Sequence, residues 1–145
     1  MAYSNPLQVY EILEKAAKQS AKKDKIAILQ QYKDLMPLRD VLRGTFDKTI
    51  QWNLPTGPVP YTPSREDVVP ATLRKEHLKF RYFVKGLPQS DKLAAVKRER
   101  IFIDMLESVH PRDAEVLIAM INKKSPIKGI TKTLVKEAFP DLIVE

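Results

Sequence analysis

The sequence has 145 residues and no cysteine, with 43% hydrophobic and 30% charged residues, and its 25 Lys and Arg against 18 Asp and Glu give a net charge of +7. Disulfides and thiol catalysis are thereby excluded, the composition is that of a globular chain rather than a disordered or fibrous one, and a chain of this length can bury about 70% of its unfolded surface in one domain. The positive balance favours polyanionic partners, while no apolar run approaches the roughly 18 residues of a membrane span.

"MAYSNPLQVYEILEK" lacks the basic head and apolar middle of a signal peptide, so the expected setting is the cytoplasm with no membrane partner. "LQVYEILEKAAKQS" places Leu7, Tyr10, Leu13 and Ala17 at helical spacing, and Ser20 is the expected N-cap of a second helix bearing Ile26, Leu29 and Tyr32. "MPLRDVLRGTFDKTIQW" opens a third helix with Pro37 in its first turn and Leu38, Val41, Leu42, Phe46 and Ile50 on one face; Gly44 inside it suggests a point of close approach.

Between Asn53 and Pro70 the periodicity stops, and five of the eleven prolines crowd into this stretch. Proline removes a backbone donor and disfavours helix in the residue before it, so residues 53–70 are predicted to form a crossing loop rather than a domain boundary. Helical spacing resumes with Leu73, His77, Phe80 and Val84 up to Gly86, then with Leu93, Val96, Ile101, Met105 and Leu106. Pro111 starts a helix with Ala114, Leu117, Ile118 and Ile121 inward and Asp113 in its first turn, and "KTLVKEAF" forms the last helix before Pro140. The expected fold is all-α, a single domain over residues 1–145 of about seven helices crossed by one proline-rich loop.

Phosphate-cradling GxxxxGK[ST], dinucleotide-binding GxGxxG and metal-binding HExxH are all missing from the sequence. His77 and His110 are expected to serve as surface or capping groups rather than metal ligands, and Arg100 stands one turn from Asp104 as a routine ion pair. No cofactor, metal or catalytic residue is therefore expected.

The charge is segregated. Residues 120–136 carry five lysines and no acid, and residues 101–119 carry four acids against one arginine. Solvated helix faces also produce such blocks, but "KKSPIKGITKTLVKEAFP" adds local detail. The Thr131 hydroxyl is placed to cap the last helix, Ile130 and Val135 to staple its start, and Gly129 to let another backbone approach. Lys123, Lys124, Lys128 and Lys132 surround that point, an arrangement suited to phosphate oxygens.

Over most of its length the sequence resembles the helical N-terminal DNA-binding domain of ATP-dependent DNA ligases, most closely the T-even phage type. The resemblance runs through "EILEKAAKQSAKKDKIAILQQYKDLMPLRDVLR", "RDAEVLIAMI" and, most specifically, "GITKTLVKEAFPDLI". It also resembles a small protein family of T-even-like phages of marine bacteria. The ligase resemblance implies a domain that grips duplex DNA around a nick through backbone phosphates, with Gly129, Thr131 and Lys132 at the phosphate-facing turn and Arg43 closing the "VLR" helix. It does not extend to catalysis: no Lys-x-Asp-Gly tetrapeptide of an adenylation domain is present, and the sequence ends just after the motif. Residues 53–100 align poorly with the ligases.

The expected function is that of a non-enzymatic DNA-binding phage protein in the host cell cytoplasm. Its expected partner is double-stranded DNA, intact or nicked, contacted through Lys123, Lys124, Lys128, Gly129, Thr131, Lys132 and Arg43, with help from Arg74, Lys97 and Arg98. The competing expectation is an adaptor that binds a phage or host replication, transcription or virion protein through the proline loop and the aromatics Tyr82 or Phe83.

Overall fold

The computed structural model describes residues 7–143. Among these residues eight α-helices follow one another: α1 (Val9–Ala17), α2 (Lys22–Gln31), α3 (Met36–Phe46), α4 (Leu73–Glu76), α5 (Pro88–Asp91), α6 (Ala95–Ser108), α7 (Pro111–Ile121) and α8 (Lys132–Ala138), with a 3-10 segment at His77–Tyr82 after α4. Among the described residues extended pairing is confined to two isolated bridges, Trp52 with Val84 and Arg65 with Val68. The fold is all-α, and among the described residues no helix is long and apolar enough to cross a membrane.

α7 is the hub. Its buried face of Ala114, Val116, Leu117, Met120 and Ile121 packs against α1, α3 and α6, while α8 leans on α2. Each fully buried leucine of this core, such as Leu13, Leu38, Leu42 or Leu117, contributes about 2 kcal/mol through removal of apolar surface from water. Gly44 is the close approach its position in α3 suggests: a Cβ there would strike the Trp52 ring and lie 3.0 Å from the Met120 sulfur. The Trp52 indole N–H donates to the Gly44 carbonyl at 2.9 Å, so the absent side chain is also what seats the ring.

The proline stretch is a loop, and it is strapped down. Gly57 and Asn122 exchange two hydrogen bonds, from the Gly57 N–H to Asn122 Oδ1 at 2.5 Å and from Asn122 Nδ2 to the Gly57 carbonyl at 3.2 Å. Farther along, the Thr62 N–H donates to Glu107 at 2.7 Å and the Ser64 hydroxyl to the Val109 carbonyl at 2.6 Å.

Several local expectations are corrected. Ser20 does not cap α2; Ala21 stands at that position, and its carbonyl accepts from the N–H groups of Asp24 and Lys25. The helix expected to run to Gly86 breaks after Glu76, because His77, Phe80 and Phe83 repeat at intervals of three, the period of a 3-10 helix, and all turn toward the interior. Phe83 is fully buried and cannot anchor a partner, and Tyr82 is half-buried. α5 lies where no helix was expected.

In α6 the inward face is Arg98, Phe102, Met105 and Leu106, and Val96 is 80% exposed. Hydrophobic spacing misplaces the first turn because a charged residue takes the inward position. The Arg98 guanidinium donates to the carbonyls of Asn53 at 2.6 Å, Ser90 at 3.0 Å and Leu93 at 2.7 Å, which satisfies it without a counter-ion.

Candidate nucleic-acid interface

The last helix starts as its sequence implies. Thr131 Oγ1 accepts the Leu134 N–H at 3.2 Å, and Ile130 and Val135 are both fully buried beneath it. Lys128, Thr131 and Lys132 are exposed around this start. Gly129, at φ +102°, has a different task from the one expected: a Cβ there would meet Lys25 Nζ at 3.0 Å and the backbone of Ala17 beyond it, so its bareness makes room for α1 and α2 of the chain itself. Lys25 Nζ lies 3.4 Å from the Gly129 carbonyl and adds a cation that the sequence reading overlooked.

Lys123 departs furthest from the expected free surface lysine. It occupies the left-handed region at φ 58°, just after α7, and its ammonium turns back to donate to the carbonyls of Gly44 at 2.7 Å and Asp47 at 2.9 Å. It thereby satisfies carbonyls at the end of α3. Burial lowers its pKa below the ordinary lysine value, and the Asp47 carboxylate opposes that fall.

Because Lys123 reaches toward α3, it stands with Lys48 and Lys132 on one surface groove of about 500 Å³. Phe46, Trp52 and Ile121 form its apolar walls, and Thr45, Gln51 and Thr56 contribute polar groups. Among the described residues no carboxylate lines it. Thr45 is accounted for, since its hydroxyl donates to the Val41 carbonyl at 2.7 Å. Lys48, Gln51, Thr56 and Lys132 have no side-chain hydrogen bond or ion pair among the described residues. Gln51 and Lys48 sit in "DKTIQW", immediately before the tryptophan that packs on Gly44; an exposed polar run against an aromatic anchor was the available signal.

The remaining candidates are scattered. Arg43 lies one groove away, on the other side of Gly44 and Trp52, with its Nε 3.5 Å from the Asp47 carboxylate. Lys124 and Lys97 are exposed, the former beside Lys123 and the latter on α6. Arg98 is buried in its clasp of carbonyls and offers no charge to a ligand. Arg74 is turned inward as well, donating to the Leu7 carbonyl at 2.8 Å. Both arginines are thus corrected from surface contacts to internal ties.

The two histidines divide. His110 caps α7, its Nδ1 accepting the Arg112 N–H at 3.1 Å while its ring stacks on Tyr10. His77 is only 11% exposed and pairs with Asp40 at 2.6 Å, which corrects the surface role expected of it. Arg100 and Asp104 form the anticipated ion pair at 3.3 Å.

No curated protein matches the chain. A family match spans residues 12–126, which includes the helices that build the groove up to Lys123 and stops short of α8. On that match the chain belongs to a family of unknown function, DUF6433.

Proposed function

We propose that the protein binds double-stranded DNA through its phosphate backbone and catalyses no reaction, using the lysine-bearing face between the end of α3 and the start of α8. The observation that carries this reading is the convergence of Lys48, Lys123 and Lys132 on one groove that no carboxylate of the described residues lines. Lys25, Lys124 and Lys128 extend the same positive surface by their contacts with, or adjacency to, Gly129 and Lys123. Ammonium groups on long stems suit phosphates as point charges and release condensed counterions on binding, giving affinity with little base preference. The resemblance of "GITKTLVKEAFPDLI" to the ligase DNA-binding domain points to the same ligand. A phage accessory protein acting in the host cytoplasm is the role that follows from it.

Neutralising about five phosphates gives a log-log slope of affinity against salt near −4 to −5. Fluorescence anisotropy on a labelled duplex across a salt series measures that slope. Lys48→Ala with Lys132→Ala is expected to make it shallower by up to about two units. A double variant with the parental slope would remove this face from the interface.

A further inference from the structure

We infer that the groove holding Lys48, Lys123 and Lys132 is a seat for a single unpaired nucleotide, so that the protein favours DNA carrying a displaced or extra base over a continuous duplex. This rests on the DNA-binding reading and narrows its substrate class. Phosphate contacts alone need only a flat cationic surface. Here the cations rim an open groove of about 500 Å³, within the usual size of a ligand pocket.

The chemistry of the walls fits a base as well as a phosphate. Phe46, half-buried, offers an aromatic surface, and the Gln51 amide carries both donor and acceptor for a base edge, beside the Thr56 hydroxyl. Neither polar side chain has a partner among the described residues. Lys123 spends two of its three N–H bonds on the Gly44 and Asp47 carbonyls, leaving one for a phosphate oxygen. Partial burial lowers its pKa, and an arriving anion favours its charged form. The groove is also pre-formed, since Trp52 is fixed to Gly44 by its indole hydrogen bond at 2.9 Å.

Trp52 is the single tryptophan of the sequence and lines the groove, so its emission reports occupancy. The test compares a continuous duplex, the same duplex with one extra unpaired thymidine, and that bulge with the thymine base removed. About tenfold tighter binding of the thymidine bulge is expected, together with a change in Trp52 emission, and both should vanish with the abasic bulge. Gln51→Ala with Thr56→Ala, both at solvent-facing positions, is expected to abolish the preference for the thymidine bulge over the continuous duplex. Equal affinity for all three duplexes, or an abasic bulge bound as tightly as the thymidine bulge, overturns the nucleotide seat while leaving backbone binding intact. Failure to bind any of the three overturns the DNA-binding reading and this inference with it.

Discussion

The Asp113 carboxylate, in the first turn of α7, accepts the backbone N–H of Tyr10 at 3.0 Å and so joins the beginnings of two helices 103 residues apart. Its other oxygen is buried without a partner among the described residues. Burial pushes the carboxyl up from 3.8 to about 7, the Tyr10 N–H pulls against that rise, and Glu11 adds to it. The fold therefore prefers the protonated form. A carboxyl with a raised folded pKa contributes stability that is complete below 3.8, declines as pH rises, and is lost above about 7. The change is on the order of 4 kcal/mol. Asp113→Asn retains an acceptor for Tyr10 without the charge. Urea unfolding should find the variant more stable than the parent by about 1 to 3 kcal/mol near pH 8, with the difference shrinking toward pH 4. A parent and variant with the same dependence on pH would contradict this account.

Arg98 supplies a contrast between structural and DNA-facing cations. Its three hydrogen bonds tie the start of the proline loop at Asn53 to the α5–α6 junction at Ser90 and Leu93. Arg98→Ala leaves three carbonyls to find new donors and removes a packed stem, with an expected loss of about 2 to 4 kcal/mol in stability. The salt slope of DNA binding should stay at the parental value, since no charge leaves the interface. Denaturant midpoints and the salt series, measured on the same preparation below its unfolding range, separate the two roles. A shallower slope in a folded Arg98→Ala protein would return this residue to the interface.

The stripes of α3 and α7 were largely legible in sequence, because apolar spacing and an initial proline specify them locally, although Ile50 falls beyond the end of α3; α1 was legible as a helix, but it buries Val9, Ile12, Leu13 and Ala16 where Leu7, Tyr10, Leu13 and Ala17 were expected. The Thr131 cap and its staple were legible for the same reason. The 3-10 segment was not, since His77, Phe80 and Phe83 also satisfy a loose helical pattern, and only tertiary burial of all three selects the tighter period. Arg98 and Lys123 were misplaced because lysine and arginine read as surface charge, whereas each is satisfied by carbonyls contributed from distant segments. The groove was half visible: the run holding Lys132 stood out by charge, but its opposite wall at Phe46 to Trp52 arrives through the packing of α3 on α7. No local pattern announces that meeting.

Gly44 controls how the two walls meet, and its replacement tests the arrangement directly. A Cβ at this position would collide with the Trp52 ring and press on both Sδ and Cγ of Met120, the latter at 3.1 Å. Met120 can give way, having several rotatable bonds, but the indole is held by its hydrogen bond to the Gly44 carbonyl and by the edge of Phe80 at 6.0 Å between ring centroids. Helix propensity alone would make Gly44→Ala stabilising by up to about 1 kcal/mol. Overpacking in a well-filled site costs about 1 to 3 kcal/mol and prevails here, because relieving the clash means moving a ring held by its hydrogen bond to the Gly44 carbonyl. The variant should therefore unfold at lower denaturant than the parent and show an altered Trp52 emission in the native state, as the ring shifts toward the groove it borders. A stabilised Gly44→Ala protein with parental emission would mean that the ring and α3 do not meet as closely as the packing of Trp52 on Gly44 requires.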